Sequence, residues 1–312
     1  MSKILVTGGR GFIGTNLTSE LRRRGNDVWT SDIKDGEDPR HTRADSGHYE
    51  QMARIFETNQ FDLVYHLAAE YGRWNGEDHY QNLWQTNVVG TKNMLRLQER
   101  QGFRMVFFSS AEVYGDYDGT MSESVMDELP IKQMNDYALT KWVGELQCLN
   151  SAEMFGTETV RVRPVNCYGP HEYYSRYRGV IPIFVYKCLA AEPFTVFGGH
   201  ERIFDYVDDT VRTFANIADN FLPGEVYNVG SDESWSVDIG DLAELVIKLS
   251  GGSPDLATIK GGEPFTTRVK RMDFSKARRD LDHRAEYPLE EGLRRYIAWM
   301  RQTHNFDSRE GQ

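Results

Sequence analysis

Lys3-Ile-Leu-Val-Thr-Gly-Gly-Arg-Gly-Phe-Ile-Gly14 is the stretch on which the fold turns. Residues 3–7 form a short apolar run of strand type, and glycines follow at 8, 11 and 14 in the spacing GxxGxxG. An amphipathic stretch then runs from about Phe12 to Arg24, with Gly25 placed as its C-cap. Strand, glycine turn and helix in direct succession open a βαβ unit. Gly8 permits the tight turn, Gly11 lets backbone amides approach a bound group, and Gly14 lets the helix pack closely on the sheet. The helix N-terminus then directs its positive dipole end at any phosphate held by the turn.

Outward from this stretch the pattern repeats. Val28–Asp32 reads as a second strand, followed by a helix near 48–58, a strand at 62–67 and a long helix at about 79–101. A strand at 104–109, a helix at about 135–155 and a strand at 158–163 complete the series. Strands alternating with helices predict an α/β fold: a doubly wound, Rossmann-like parallel sheet covered on both faces. After Pro164 the texture changes. Residues 168–179 are aromatic and polar, like a binding loop, and shorter elements follow. These are helices near 180–191, 208–219, 237–250 and 289–303 and strands near 194–197 and 225–229. The expected division is a cofactor-binding domain over 1–165 and a smaller C-terminal α/β substrate lobe over 166–312, some of whose segments return to the main sheet. Ser308–Gln312 are expected to fray.

Composition narrows the partners. Lys+Arg number 36 against 47 Asp+Glu, a formal net charge of −11, which disfavours nucleic acid and anionic membranes. No apolar run approaches the ~20 residues needed to span a bilayer. The N-terminus lacks the apolar core of a signal peptide, so a cytoplasmic protein is expected. Cys148, Cys167 and Cys188 are widely spaced, with no CxxC or Cys/His cluster, so free thiols and no metal site are expected.

The strand–turn–helix context makes the glycine loop a dinucleotide site. Gly8, Gly11, Phe12, Ile13 and Gly14 would hold the pyrophosphate. Asp32 ends the second strand and can accept both ribose hydroxyls of the adenosine half, while repelling a 2′-phosphate, which favours NAD over NADP. Arg10, inside the loop, works against that preference. Asp45 is placed to meet the adenine amino group, and serves equally well as a loop aspartate. Leu67, Ala68 and Ala69 end the next strand with residues small enough for a cofactor to lie close.

Two later segments carry reactive groups: Ser109-Ser-Ala-Glu-Val-Tyr-Gly115 and Tyr137-Ala-Leu-Thr-Lys141. Tyr137 and Lys141 stand at i and i+4 on one helix face. A phenol with an ammonium one turn away can act as a general base near neutral pH. Beside a nicotinamide, this is equipment for oxidising an alcohol.

With these motifs the chain resembles the extended short-chain dehydrogenase/reductase family, and within it the NAD-dependent nucleotide-sugar epimerases and dehydratases. The resemblance also rests on His66-Leu-Ala-Ala69, Thr86-Asn-Val-Val-Gly-Thr91, Arg163-Pro-Val-Asn-Cys-Tyr-Gly-Pro170, Arg202-Ile-Phe-Asp-Tyr-Val-Asp-Asp209 and Tyr227-Asn-Val-Gly-Ser231. It implies that Tyr137 takes the proton of the sugar 4-hydroxyl, Lys141 orients the nicotinamide ribose, and Ser110 hydrogen-bonds the same sugar oxygen. It implies that Asn166 contacts the substrate diphosphate and that Arg202 and Arg271 neutralise it. The family usually forms homodimers through two long helices, here about 79–101 and 135–155. Arg176 and Arg178, in the loop after 166–170, are candidates for reading a sugar carboxylate or extra hydroxyls. Phe197 is a candidate for packing on the nucleotide base.

The resemblance also frames the reaction. A transient 4-ketone on a nucleotide hexose leads to 4-epimerisation, to 4,6-dehydration, or to loss of a hexuronate carboxyl. Ala111 cannot donate a proton, which argues against a standard dehydratase. Glu112 is a carboxylate placed for chemistry at C5, which keeps dehydratase and decarboxylase readings open. The balance leans to 4-epimerisation. A net keto-sugar reductase and a non-catalytic cofactor sensor are the readings from other classes, and the Ser110, Tyr137 and Lys141 set argues against the sensor.

Overall fold

The computed structural model describes residues 1–306. The expectation for Ser308–Gln312 lies outside them.

Seven parallel strands make the main sheet: β1 Lys3–Thr7, β2 Asp27–Asp32, β3 His41–Arg43, β4 Leu63–His66, β5 Arg104–Phe108, β6 Thr159–Pro164 and β7 Val226–Val229. Their spatial order is β7-β6-β5-β4-β1-β2-β3. Alternate side chains of a strand point to opposite faces, so a fully buried strand feeds two cores. Ile4 and Val6 pack with Leu17, Tyr65, Phe108 and Phe214 on one face. Leu5 packs with Met52, Val64, Met94 and Phe107 on the other. Strand order reverses between β1 and β4, which opens a crevice at their carboxyl ends, the usual ligand site of such sheets.

The expected helix at 48–58 is Tyr49–Thr58. The one expected at 79–101 runs as Tyr80–Trp84, a π turn over Gln85–Val89, and Gly90–Gln101. The expected helix at 135–155 is Asp136–Phe155, opened by Asn135, whose side chain accepts from the Ala138 amide at 2.9 Å. Between Leu63–His66 and Tyr80–Trp84 lies a short helix, Arg73–Asp78, entered through Gly72 at φ 88°.

Residues beyond 166 build a separate apolar cluster around Phe184, Val185, Val196, Leu242, Val246 and Tyr296. β7 nonetheless lies on the main sheet, with Val226 paired to Arg161. A further cluster joins Ala111, Val113, Tyr114 and Met121 to Ile203, Met272 and Phe274. The segment after β5 is therefore packed against the C-terminal chain, and a site forms between them.

Candidate active site

Two cavities meet at the carboxyl edge of the sheet. The first, of about 350 Å³, is floored by the glycine turn. Gly8 sits at φ 66°, and a Cβ there would meet the Ala68 amide nitrogen at 2.8 Å. A Cβ on Gly14 would stand 2.1 Å from the Gly8 carbonyl oxygen, so only glycine lets helix Phe12–Arg23 start this close to the strand. Asp32 is buried at the rim. Its Oδ2 accepts from the Arg10 amide and its Oδ1 from the Lys34 amide, both at 3.0 Å. The carboxylate thus fixes both loops that flank the cleft.

Below the cleft the Thr7 hydroxyl lies 2.8 Å from His66 Nδ1 and accepts from the Ala68 amide at 3.1 Å. Burial, aided by the Lys141 charge, pushes His66 down to about 3, so the ring is neutral. Gly8, Gly11, Phe12, Ile13, Gly14, Asp32, Asp45, Leu67, Ala68, Ala69, Tyr137 and Lys141 all line this one cleft. Asp45 Oδ1 also accepts from the Gly47 amide at 2.8 Å. Arg10 does not line the cleft; its side chain is exposed.

The second cavity, of about 450 Å³, is lined by Tyr71, Arg73, Glu112, Tyr137, Asn166, Glu172, Arg176, Arg178, Phe197, Arg202 and Glu263 among others. Tyr71, Tyr137 and Arg178 line both cavities, so these three residues mark the junction. Of the three, Tyr137 carries the phenol that the sequence marks as the candidate base. Burial pushes its phenol up to about 12; the Ser110 hydroxyl works against that rise and the Glu112 carboxylate adds to it. Lys141 donates to the Phe108 carbonyl at 2.8 Å, with Nζ 5.9 Å from the Tyr137 ring centre. Burial lowers Lys141 to about 8.

The two reactive segments are locked together from beneath. The Ser109 hydroxyl donates to Glu145, which is fully buried on helix Asp136–Phe155. Arg163 Nε and Nη2 clasp the two oxygens of that carboxylate at 2.9 and 2.8 Å. Burial alone would raise Glu145, but Arg163 and Arg161 hold it below the usual range. A paired, hydrogen-bonded buried charge of this kind fixes geometry more than it adds stability. Asn87 ties the same helix to residue 70, bonding Thr140 Oγ1 at 3.0 Å and the Glu70 amide at 2.8 Å.

Glu112 is not free. Its carboxylate is ion-paired with Lys270, whose side chain is 4% exposed. Burial works to raise Glu112, yet Lys270, and then Arg202 and Arg73, hold it at about 2. Lys270 was not expected from the sequence. Arg271 was, and it lines neither cavity: it is exposed and donates to the Asp118 carbonyl at 3.1 Å. The difference is one residue of register. Arg271–Met272 pairs with Thr120–Met121 as a short parallel strand, and consecutive side chains of extended backbone face opposite ways.

Of the other expected substrate contacts, Asn166 lines the second cavity at φ 36° and donates to the Ile203 carbonyl at 2.8 Å. Arg202 lines it too, with Nη2 donating to Thr266 Oγ1 at 2.9 Å and to the Thr267 carbonyl at 2.6 Å. Arg73 and Glu263 form an ion pair across the mouth that single-segment reading did not find.

A glycine-floored cleft whose rim carboxylate suits ribose hydroxyls, joined through a tyrosine to a cation-rich cavity, fits NAD beside a second, anionic ligand. The sequence model of the NAD dependent epimerase/dehydratase family matches residues 4–230. The chain belongs to that family.

Its relatives cover nearly its whole length. It is 30% identical to the UDP-N-acetyl-alpha-D-glucosaminuronate decarboxylase of Bacillus cytotoxicus, over 97% of this chain and 99% of that one. The UDP-glucose 4-epimerase of Thermotoga maritima, solved with UDP-glucose, superposes with a TM-score of 0.87 at 26% identity, covering 97% and 99%. MoeE5 in complex with UDP-glucuronic acid and NAD gives 0.85 at 28%, covering 96% and 99%. The protein is thus an NAD-dependent enzyme of the nucleotide-sugar epimerase, dehydratase and decarboxylase group. Among the described residues no helix is long and apolar enough to cross a membrane.

Proposed function

We propose that this enzyme inverts C4 of a nucleotide hexose. The observation that carries this reading is the Glu112–Lys270 ion pair. A carboxylate held at about 2 cannot donate a proton to a leaving C6 hydroxyl at neutral pH, and Ala111 beside it has none to give. The same ammonium takes up the charge that a C5 base would use. What remains is the minimal set for oxidation and re-reduction at C4.

In this reading, Gly8, Gly11, Phe12, Ile13, Gly14, Asp32, Asp45 and Leu67–Ala69 hold NAD, with Tyr137 and Lys141 at its nicotinamide end. Bound NAD supplies the acceptor and donor of hydride at C4. Tyr137 Oη takes the proton of the 4-hydroxyl, and Ser110 Oγ hydrogen-bonds the same oxygen. The Lys141 ammonium favours the phenolate electrostatically. Asn166 and Arg202 hold the diphosphate. The keto sugar turns over within the pocket, so that the hydride would return to the opposite face of C4, and Tyr137 Oη gives its proton back to the 4-oxygen.

Decarboxylation of a nucleotide hexuronate is the second reading. It is favoured by one feature: Lys270 is a buried ammonium, lowered by burial, beside Glu112, where it can protonate C5 once carbon dioxide has left. Incubation with nucleotide sugars followed by mass spectrometry and NMR separates the two. An unchanged mass with a new sugar spectrum supports epimerisation. A loss of about 44 mass units, one carbon dioxide, overturns it.

We place the enzyme in the cytoplasm, in keeping with three free cysteines. We also propose a homodimer. Helix Asp136–Phe155 leaves Leu139, Leu146 and Leu149 exposed by 36%, 41% and 37%, an apolar face suited to a second copy.

A further inference from the structure

Thr7 and His66 are register partners at the carboxyl ends of β1 and β4, where the crevice of the sheet opens. From them a hydrogen-bonded chain runs to the helix that carries Tyr137. The Ala68 amide donates to Thr7 Oγ1 at 3.1 Å, and Thr7 Oγ1 lies 2.8 Å from His66 Nδ1. His66 Nε2 lies 3.4 Å from Thr91 Oγ1, which donates to the Asn87 carbonyl at 2.6 Å. Asn87 stands in the π turn, and its Nδ2 donates to Thr140 Oγ1 at 3.0 Å. Thr140 Oγ1 in turn donates to the Tyr137 carbonyl at 2.8 Å. Thr7, His66, Thr91, Asn87 and Thr140 are each at most 2% exposed, and none of them lines either cavity.

The supply of protons sets the direction of the chain. A threonine hydroxyl has one proton to give, and that of Thr91 goes to the Asn87 carbonyl. Thr91 Oγ1 therefore accepts from His66, which puts the ring proton on Nε2. Nδ1 is then an acceptor for the Thr7 hydroxyl, whose oxygen still has a lone pair for the Ala68 amide. A proton on Nδ1 would set two donors against Thr7 Oγ1 and leave the Thr7 hydroxyl proton without a partner in this chain, a state that buried polar groups avoid. The Lys141 ammonium also acts against a charge on the ring. With every proton committed, the chain fixes positions and carries no proton.

We infer that His66, as its Nε2–H tautomer, is a positioning residue that holds the floor of the cofactor cleft and the helix of Tyr137 in register with each other. Its two ring nitrogens serve two ends. Nδ1 holds Thr7 and, through it, the Ala68 amide, which is the atom that a Cβ on Gly8 would strike. Nε2 holds Thr91 at the π turn and, through Asn87 and Thr140, the backbone of Tyr137. The inference rests on the reading of Tyr137 as the base beside NAD and deepens it.

The test uses the full-length holoenzyme and variants that sever one end at a time. In His66→Asn the amide oxygen takes the place of Nδ1 and still accepts from Thr7, while the contact to Thr91 is lost. In His66→Gln the amide nitrogen takes the place of Nε2, and the contact to Thr7 is lost. His66→Asn should release NAD at the wild-type rate and lose kcat. His66→Gln should release NAD faster and keep kcat at saturating NAD. Each effect should be roughly two- to tenfold, the worth of one neutral hydrogen bond. His66→Phe should show both losses. Thr91→Val leaves the histidine in place and should behave as His66→Asn, so it decides the case where a histidine variant does not fold. Nitrogen NMR on ring-15N-histidine protein needs no turnover and should find His66 protonated at Nε2 only. A proton on Nδ1 overturns the inference, as does a wild-type kcat in Thr91→Val. So does a common loss of NAD retention and kcat in the asparagine and glutamine variants alike, which is what a merely structural histidine would give. A wild type that converts no nucleotide sugar sinks that reading, while the tautomer and the NAD release rates still decide this one.

Discussion

Glu112 and Lys270 stand 158 residues apart in sequence and form an ion pair at the wall of the second cavity. The pair joins the segment after β5 to the C-terminal chain, where Thr267 also donates to the Gly115 carbonyl. Lys270→Met leaves Glu112 as an unneutralised carboxylate. The expected outcome is a carboxyl nearer its ordinary value and able to act as a base at C5. Turnover in D2O followed by NMR should show no deuterium at C5 for wild type and measurable deuterium for the variant. C5 exchange in wild type would count against plain 4-epimerisation. Removing one partner of a buried pair also costs about 3 kcal/mol, and Lys270→Met with Glu112→Gln should recover part of that in a denaturation midpoint.

Tyr137→Phe keeps the ring that lines both cavities and removes only the hydroxyl. General acid–base groups contribute about 10²–10⁴-fold to rate. We expect kcat to fall by that order, with NAD still bound. An activity within tenfold of wild type would remove Tyr137 from the proton-transfer role.

Lys141 sets an upper pH limb. Its ammonium is lowered to about 8 by burial, so the proton is present below that pH and lost above it. As pH rises through about 8 the positive charge that would favour proton transfer to or from Tyr137 is lost, and kcat/KM should fall. A profile flat to pH 10 would show that the cation plays no part in turnover.

Much of this site was legible because its residues follow chain order. The glycine turn, Asp32 and Leu67–Ala69 each end a strand or begin a helix, and parallel topology brings all those ends to one edge. Tyr137 and Lys141 share a helix face, which spacing alone reveals. What stayed hidden depends on contacts between distant segments. Lys270 and Arg271 are adjacent basic residues, and only the pairing with Thr120–Met121 decides which one turns inward. Arg73 with Glu263, and Arg178 between Tyr71 and Glu172, arise from loops that meet only in the folded chain. The π turn over Gln85–Val89 interrupts a run that periodicity reads as one helix.

The last prediction concerns the outer face of helix Asp136–Phe155. Ala138, Lys141, Glu145 and Cys148 are among its buried residues, at spacings of three and four. Leu139, Leu146 and Leu149 recur at seven and three on another face and are exposed by 36%, 41% and 37%. The first face is buried within the subunit, and the exposed leucine stripe is left without a partner of its own there. A second copy bringing the same face would bury these leucines in a self-complementary contact. Leu146→Glu places a charge in that contact, away from both cavities. Light scattering should then report a fall from twice 35.9 kDa to 35.9 kDa. A wild-type protein that is monomeric at micromolar concentration would refute the pairing.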